Sequence, residues 1–119
     1  MSDSKQQAED HYYNALDLYA EGKHEEAVAE YEKCLSLDPS HAEAMHGLAR
    51  AYQDANRLDD SIAISKRLIE LDPDDILAHT SLSITYQKKG MIPEAEAAAN
   101  QARILGWKQQ LKDAKTRSE

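Results

Sequence analysis

The stretches LSLDPSHAEA at residues 35–44 and IELDPDDILA at residues 69–78 lie 34 positions apart and share one pattern: an apolar run, Asp-Pro, then polar residues. Proline cannot continue a helix from within, yet it is tolerated in the first turn of a new one. The residue before it is pushed out of the helical region. Each stretch therefore reads as a joint where one helix stops and the next begins. Ser40-x-x-Glu43 has the form of a capping box for the helix after the first joint.

Working outward, the same 34-residue spacing recurs at other positions, and a repeat of this length decides the fold before any single motif does. Gly22, Asn56 and Gly90 fall on it, and each tolerates the left-handed backbone that a helix end requires. Leu18, Tyr52 and Tyr86 precede them by one helical turn. Small residues Ala27, Ser61 and Ala95 follow, and Leu37, Leu71 and Leu105 come next. Within each unit the apolar residues recur at three and four positions, so both halves are amphipathic helices. The pattern predicts helices near 5–20, 24–37, 41–55, 58–71, 75–89, 93–105 and 107–117, with frayed ends at 1–4 and 116–119.

The sequence resembles the tetratricopeptide repeat family over residues 8–107. Repeat one supplies Ala15, Leu18, Ala27, Tyr31, Cys34 and Pro39 to that family's pattern. Repeat two supplies Ala49, Tyr52, Ser61, Ser65, Leu68 and Pro73. Repeat three supplies Ser83, Tyr86, Ala95, Ala99 and Ala102, with Trp107 in place of the proline. The family's tryptophan is replaced by His11, Met45 and His79. The resemblance implies an all-α, right-handed solenoid of three helical hairpins, spanning 8–41, 42–75 and 76–107 in a single domain. A C-terminal helix near 107–117 would cap it. The aromatic residue of the second helix shrinks from Tyr31 to Ser65 to Ala99, and Trp107, with Leu111 and Ala114, is expected to fill the space and seal the last repeat.

In the family, ligands lie along the concave surface formed by the first helices. Carried over position by position, that surface would hold Tyr12, Leu16 and Tyr19 from repeat one. Repeat two would add His46, Arg50 and Gln53, and repeat three Thr80, Ile84 and Gln87. Tyr and Arg carry interface energy more often than other residues, which singles out Tyr12, Tyr19 and Arg50. The alternative is that Tyr12 and Tyr19 pack only within their own repeat. Some members grip chaperone C-termini with a clamp of Lys, Asn and Arg. The matching positions here are Tyr12, Leu16, Gly47, Leu77 and Ser81, which lack the donors to hold a carboxylate.

The remaining signals narrow the function by what they disfavour. The chain has 119 residues, 22 acidic against 14 basic, and a net charge of -8. Phosphate-backbone binding depends on clustered Lys and Arg, so nucleic acid is not expected as a partner. Residues 1–75 hold 18 acids and 7 bases, whereas residues 76–119 hold 4 acids and 7 bases. His41 and His46 are five apart and do not share a helix face, and no HExxH or CxxC occurs, so no metal or cofactor is expected. His11 and His79 stand at a packing position and are expected in the core. Gly22-Lys23 lacks the glycine spacing of a phosphate loop. Cys34 stands where the repeat wants a small buried group, hence an inert thiol rather than a nucleophile. One cysteine, no signal-like start in MSDSKQQAEDHYY and no long apolar run give a cytoplasmic expectation.

The expected role is a non-catalytic protein-binding module that takes a peptide or helix of a partner. The alternative is a self-assembling scaffold, with Glu9, Asp10, Glu25, Glu26 and Glu30 at one end meeting Lys88, Lys89, Arg103, Lys108, Lys112 and Lys115 at the other. Such head-to-tail contacts close into rings or run on as filaments.

Overall fold

Three turns with the same hydrogen bonds organise the chain. The computed structural model describes residues 2–118. Its elements are α1 (Ser2–Ala20), α2 (His24–Leu37), α3 (Ala42–Asp54), α4 (Leu58–Leu71), α5 (Ile76–Lys88) and α6 (Ile92–Ser118), and among the described residues there is no strand. Between α1 and α2, Gly22 takes φ +79°, and the Lys23 N–H donates to the Leu18 carbonyl at 2.9 Å. Asn56 (φ +61°) and Gly90 (φ +78°) repeat this, with Arg57 N–H to Tyr52 O at 2.7 Å and Met91 N–H to Tyr86 O at 2.9 Å. This is the Schellman arrangement, which satisfies otherwise orphaned carbonyls at a helix end.

The Asp-Pro joints end α2 and α4 as expected, with Asp38 and Asp72 outside the helical region at the C-caps. The capping box is not used. His41 caps α3 instead: its Nδ1 accepts from the Ala44 N–H at 3.1 Å, and its Nε2 lies 2.6 Å from Glu9 Oε1. A ring nitrogen that accepts a backbone N–H carries no proton, so Nε2 is the donor to Glu9. The turn through Pro39 places Ser40 one residue too early, and its hydroxyl points back at Asp38. At the matching place before α5, Asp75 accepts from the Ala78 N–H at 3.1 Å.

Each helix packs on the next in chain order, and the first helices of successive hairpins touch, α1 on α3 and α3 on α5. That order makes a solenoid with α1, α3 and α5 along one surface and α2, α4 and α6 along the other. Small residues let the helices approach: Ala8, Ala15, Ala27, Ala44, Ala49 and Ala78 are wholly buried. Two hydroxyls each tie together the two helices of one hairpin. Ser61 Oγ donates to Ala49 O, and Ser83 Oγ donates to Ala95 O, both at 2.9 Å. Met45 and His79 are buried as their repeat positions imply, but His11 is half-buried and paired to Glu30 at 2.5 Å. Repeat one has no preceding helix among the described residues to cover His11.

The C-terminal segment departs from expectation in one respect. Residues 107–117 are helical, but as a straight continuation of α6 rather than a separate helix that folds back. Positions 106–107 are Gly-Trp where the earlier repeats have Asp-Pro, so nothing stops the helix. Leu105 is the last buried residue, and Trp107 is 59% exposed instead of sealing the array. The helix also continues through both segments expected to fray, at 2–4 and 116–118, while Met1 and Glu119 lie outside the described residues. A compact chain of this length would have a radius of gyration of about 13.5 Å. The observed 15.8 Å reflects the stacked layout and the α6 overhang.

Candidate functional site

On the surface formed by first helices, α3 and α5 diverge enough to leave a groove of about 420 Å³. Five of the sequence-derived residues line it: His46, Arg50 and Gln53 from α3, with Thr80 and Ile84 from α5. Asp54, Leu77, Ser81 and Lys88 complete the lining. The sequence reading weighed Leu77 and Ser81 only as clamp positions and omitted Asp54 and Lys88 from the surface. The available signal was the spacing 77, 81, 84, 88, which is one continuous helix face.

The polar groups in the groove divide into two sets. His46 Nε2 lies 2.8 Å from Asp75 Oδ2, whose other oxygen caps α5. Gln53 Nε2 donates to Thr85 Oγ1 at 3.0 Å, and the Thr80 hydroxyl donates to Ile76 O at 3.0 Å. Asp54 accepts the Tyr19 hydroxyl. Apart from Thr80, whose bond stays within α5, these groups tie one repeat to the next. Arg50 and Lys88 form no ion pair among the described residues. Leu77, 64% exposed, and Ile84, 43% exposed, line the same groove. The arrangement offers an apolar floor with two cations beside it.

The other four predicted residues lie elsewhere. Tyr12 is half-buried, with its ring 6.2 Å from Tyr31 and 5.0 Å from His41, so it packs within repeat one and against the cap of α3. Burial, with Glu43 nearby, raises its phenol above the usual range. Tyr19 bridges repeats, bonding Asp54 and carrying the Arg50 guanidinium 6.0 Å from its ring centre. Burial and then the Asp54 bond raise its pKa. Leu16 is exposed on α1, outside the groove. Gln87 lines a different depression at the α5–α6 end, with Ser83, Ile92, Ala95, Glu96 and Ala99.

Cys34 is fully buried, and burial, ahead of Asp38 and Glu9, pushes its thiol up to about 11, far from the thiolate a nucleophile needs. Among the described residues no group of three His, Cys, Asp or Glu side chains is placed to hold a metal ion, and no helix is long and apolar enough to cross a membrane.

The sequence model of the tetratricopeptide repeat matches residues 18–84, more than half the chain. The chain belongs to the tetratricopeptide repeat family. Solved structures agree on the fold. The crystal structure of MamA superposes with a TM-score of 0.84 at 21% identity, over 90% of this chain and 62% of MamA, so this chain spans less than two thirds of that protein. The second tetratricopeptide domain of Spaghetti (RPAP3), bound to the HSP90 peptide SRMEEVD, gives 0.80 at 21% identity, over 88% of this chain and 99% of that one. The Yersinia enterocolitica type III secretion translocator chaperone SycD gives 0.81 at 24% identity, over 94% and 86% of the two chains. By sequence, ypp1 of Schizosaccharomyces pombe is 34% identical over 63 residues, which are 52% of this chain and 7% of ypp1. In this tetratricopeptide array the groove therefore lies on the repeats' first-helix surface, between the second and third hairpins.

Proposed function

We propose that this chain is a non-catalytic protein-interaction module whose α3–α5 groove binds a short amphipathic segment, peptide or helix, of a partner protein. One observation carries the reading: Arg50 and Lys88, which form no ion pair among the described residues, share one groove with exposed Leu77 and Ile84, while His46, Gln53 and Asp54 are bonded internally. Such a surface favours a ligand with an apolar side chain next to a carboxylate. The neighbours that hold an HSP90 peptide or serve as a secretion chaperone support a binding role for the fold. The terminal-carboxylate mode is disfavoured here, because Leu77 and Ser81 stand where the clamp needs cations. Tyr19 supports the site indirectly by positioning Asp54 and Arg50.

The test titrates fluorescein-labelled amphipathic peptides, one Glu/Leu-rich and its Lys/Leu-rich counterpart, into the protein. The acidic peptide is expected to bind and the basic one to fail. Arg50→Glu and Ile84→Asp should each weaken binding by about 2 kcal/mol, as at a central anchor. Equal binding of both peptides, or full affinity in both variants, would remove the groove from the reading.

A further inference from the structure

Two features of the C-terminal end fit one another and are not satisfied within one copy. The first is an unseated helix. From Trp107 to Ser118 every residue of α6 is exposed, and Trp107, Leu111 and Ala114 lie at i, i+4 and i+7 on one face, with Leu111 70% exposed. The second is a vacant seat. Ser83, Gln87, Ala95 and Ala99 line the depression at the α5–α6 end. In the 34-residue register they match Ala49, Gln53, Ser61 and Ser65, the surface of α3 and α4 on which α5 sits. There α5 is held through Thr85, which bonds Gln53 at 3.0 Å and Ser61 at 3.2 Å. The end of the array thus presents a surface built to take a helix. The straight course of α6 carries Trp107 away from it.

We infer that two copies of this chain pair through antiparallel α6 helices, each copy's Trp107 face lying in the vacant seat of the other. Antiparallel alignment with a two-fold axis crossing α6 near residues 103–106 sets Trp107 against Ala99 and Ala102 of the second copy, large against small. It also matches charge. The first turns of α6 carry Glu94 and Glu96 and no base, whereas residues 103–118 carry Arg103, Lys108, Lys112, Lys115 and Arg117 against Asp113 alone. Reversing one helix on the other therefore brings the acidic half to the basic half at both ends. The contact is isologous and closes at two copies. An overlap of about 20 residues runs roughly 30 Å along the helices. A specific dimer needs about 1,200 Å² of buried surface, which the two filled seats together have to supply.

The experiment is sedimentation equilibrium of the full chain over a wide concentration range, with emission of the single tryptophan followed on dilution. Expected is a mass approaching twice 13.4 kDa at high concentration. Trp107 emission should shift red as the dimer dissociates. Leu111→Asp empties the helix face and Ala99→Lys blocks the seat; both residues lie outside the core, and each variant should weaken dimerisation at least tenfold with an unchanged circular dichroism spectrum. Ile84→Asp, in the peptide groove, should leave the dimer intact, so this pairing and the groove reading fail separately. A monomer at every concentration overturns the pairing. So does a dimer indifferent to both variants, or a mass that grows past two copies as head-to-tail stacking requires.

Discussion

Gly47→Ala should destabilise the protein although Ala is the better helix former, because Gly47 is where repeat one meets repeat two. A Cβ at this position would lie 2.5 Å from Cζ of Tyr31, 2.6 Å from its hydroxyl oxygen and 2.7 Å from Cε1. Non-bonded carbons rest at about 3.5–4.0 Å, so the ring or the helix must move by about 1 Å. The ring has little room: Tyr31 is 1% exposed, and Tyr12 packs against it at 6.2 Å between ring centres. Overpacking of this kind costs about 1–3 kcal/mol, with a rigid ring at the upper end. Against this, replacing a mid-helix glycine by alanine contributes about 1 kcal/mol. The net expectation is a loss of about 2 kcal/mol, read as a lower urea midpoint at unchanged slope. Ser81→Ala is the control one repeat later, where the facing residue is Ser65 and no ring intervenes; it should be near neutral. In a Tyr31→Leu background the added methyl should do much less harm, a coupling of about 1–2 kcal/mol between contacting sites. A Gly47→Ala variant as stable as the parent would refute the close-approach argument.

Two further predictions follow from the core. Ser65 is wholly buried with no hydrogen-bond partner for its hydroxyl among the described residues, so Ser65→Ala should stabilise the protein by about 1 kcal/mol, read as a higher urea midpoint, and a loss of stability would refute this. Burial pushes Cys34 up to about 11 and Tyr31 up to about 12, so the folded state keeps protons that the unfolded chain releases. Stability is then full below pH 9.0 and falls as pH rises, through about 11 for Cys34 and about 12 for Tyr31; urea midpoints across that window should show it, Cys34→Ala should soften the early decline, and a flat profile would contradict it.

The fold was legible because each hairpin announces its turns in residue types with a backbone reason: Gly or Asn for the left-handed corner, Asp-Pro for the restart. What the register could not supply was the fate of a position where the signal lapses. Gly106-Trp107 replaces Asp-Pro, and an absent stop signal leaves a helix running on, so a repeat-based expectation of a separate seventh helix had nothing local to enforce it. The same limit explains the cap of α3. Ser40 and Glu43 have the right spacing, yet His41 wins because its second nitrogen also reaches Glu9 of α1. That is a tertiary contact between residues 32 apart.

The groove was half legible for a related reason. Register says which helix face looks into the concave surface, and it delivered His46, Arg50, Gln53, Thr80 and Ile84 together. It does not say which of those side chains the fold has already spent. His46 and Gln53 are equivalent to Tyr12 and Tyr19 by position, yet they bond to Asp75 and to Thr85, whereas the two tyrosines pack across α1–α3. All four thus reach across the repeats, three through a polar contact and Tyr12 through ring packing. Arg50 and Ile84, at the middle positions of their trios, are held in no ion pair, although Arg50 lies 6.0 Å from the Tyr19 ring centre. A binding anchor in such an array has to lie on the first-helix face and also be left without an ion pair to the neighbouring repeat. Leu77 and Lys88 meet that second condition, and this is why they join the site although the trio pattern skips them.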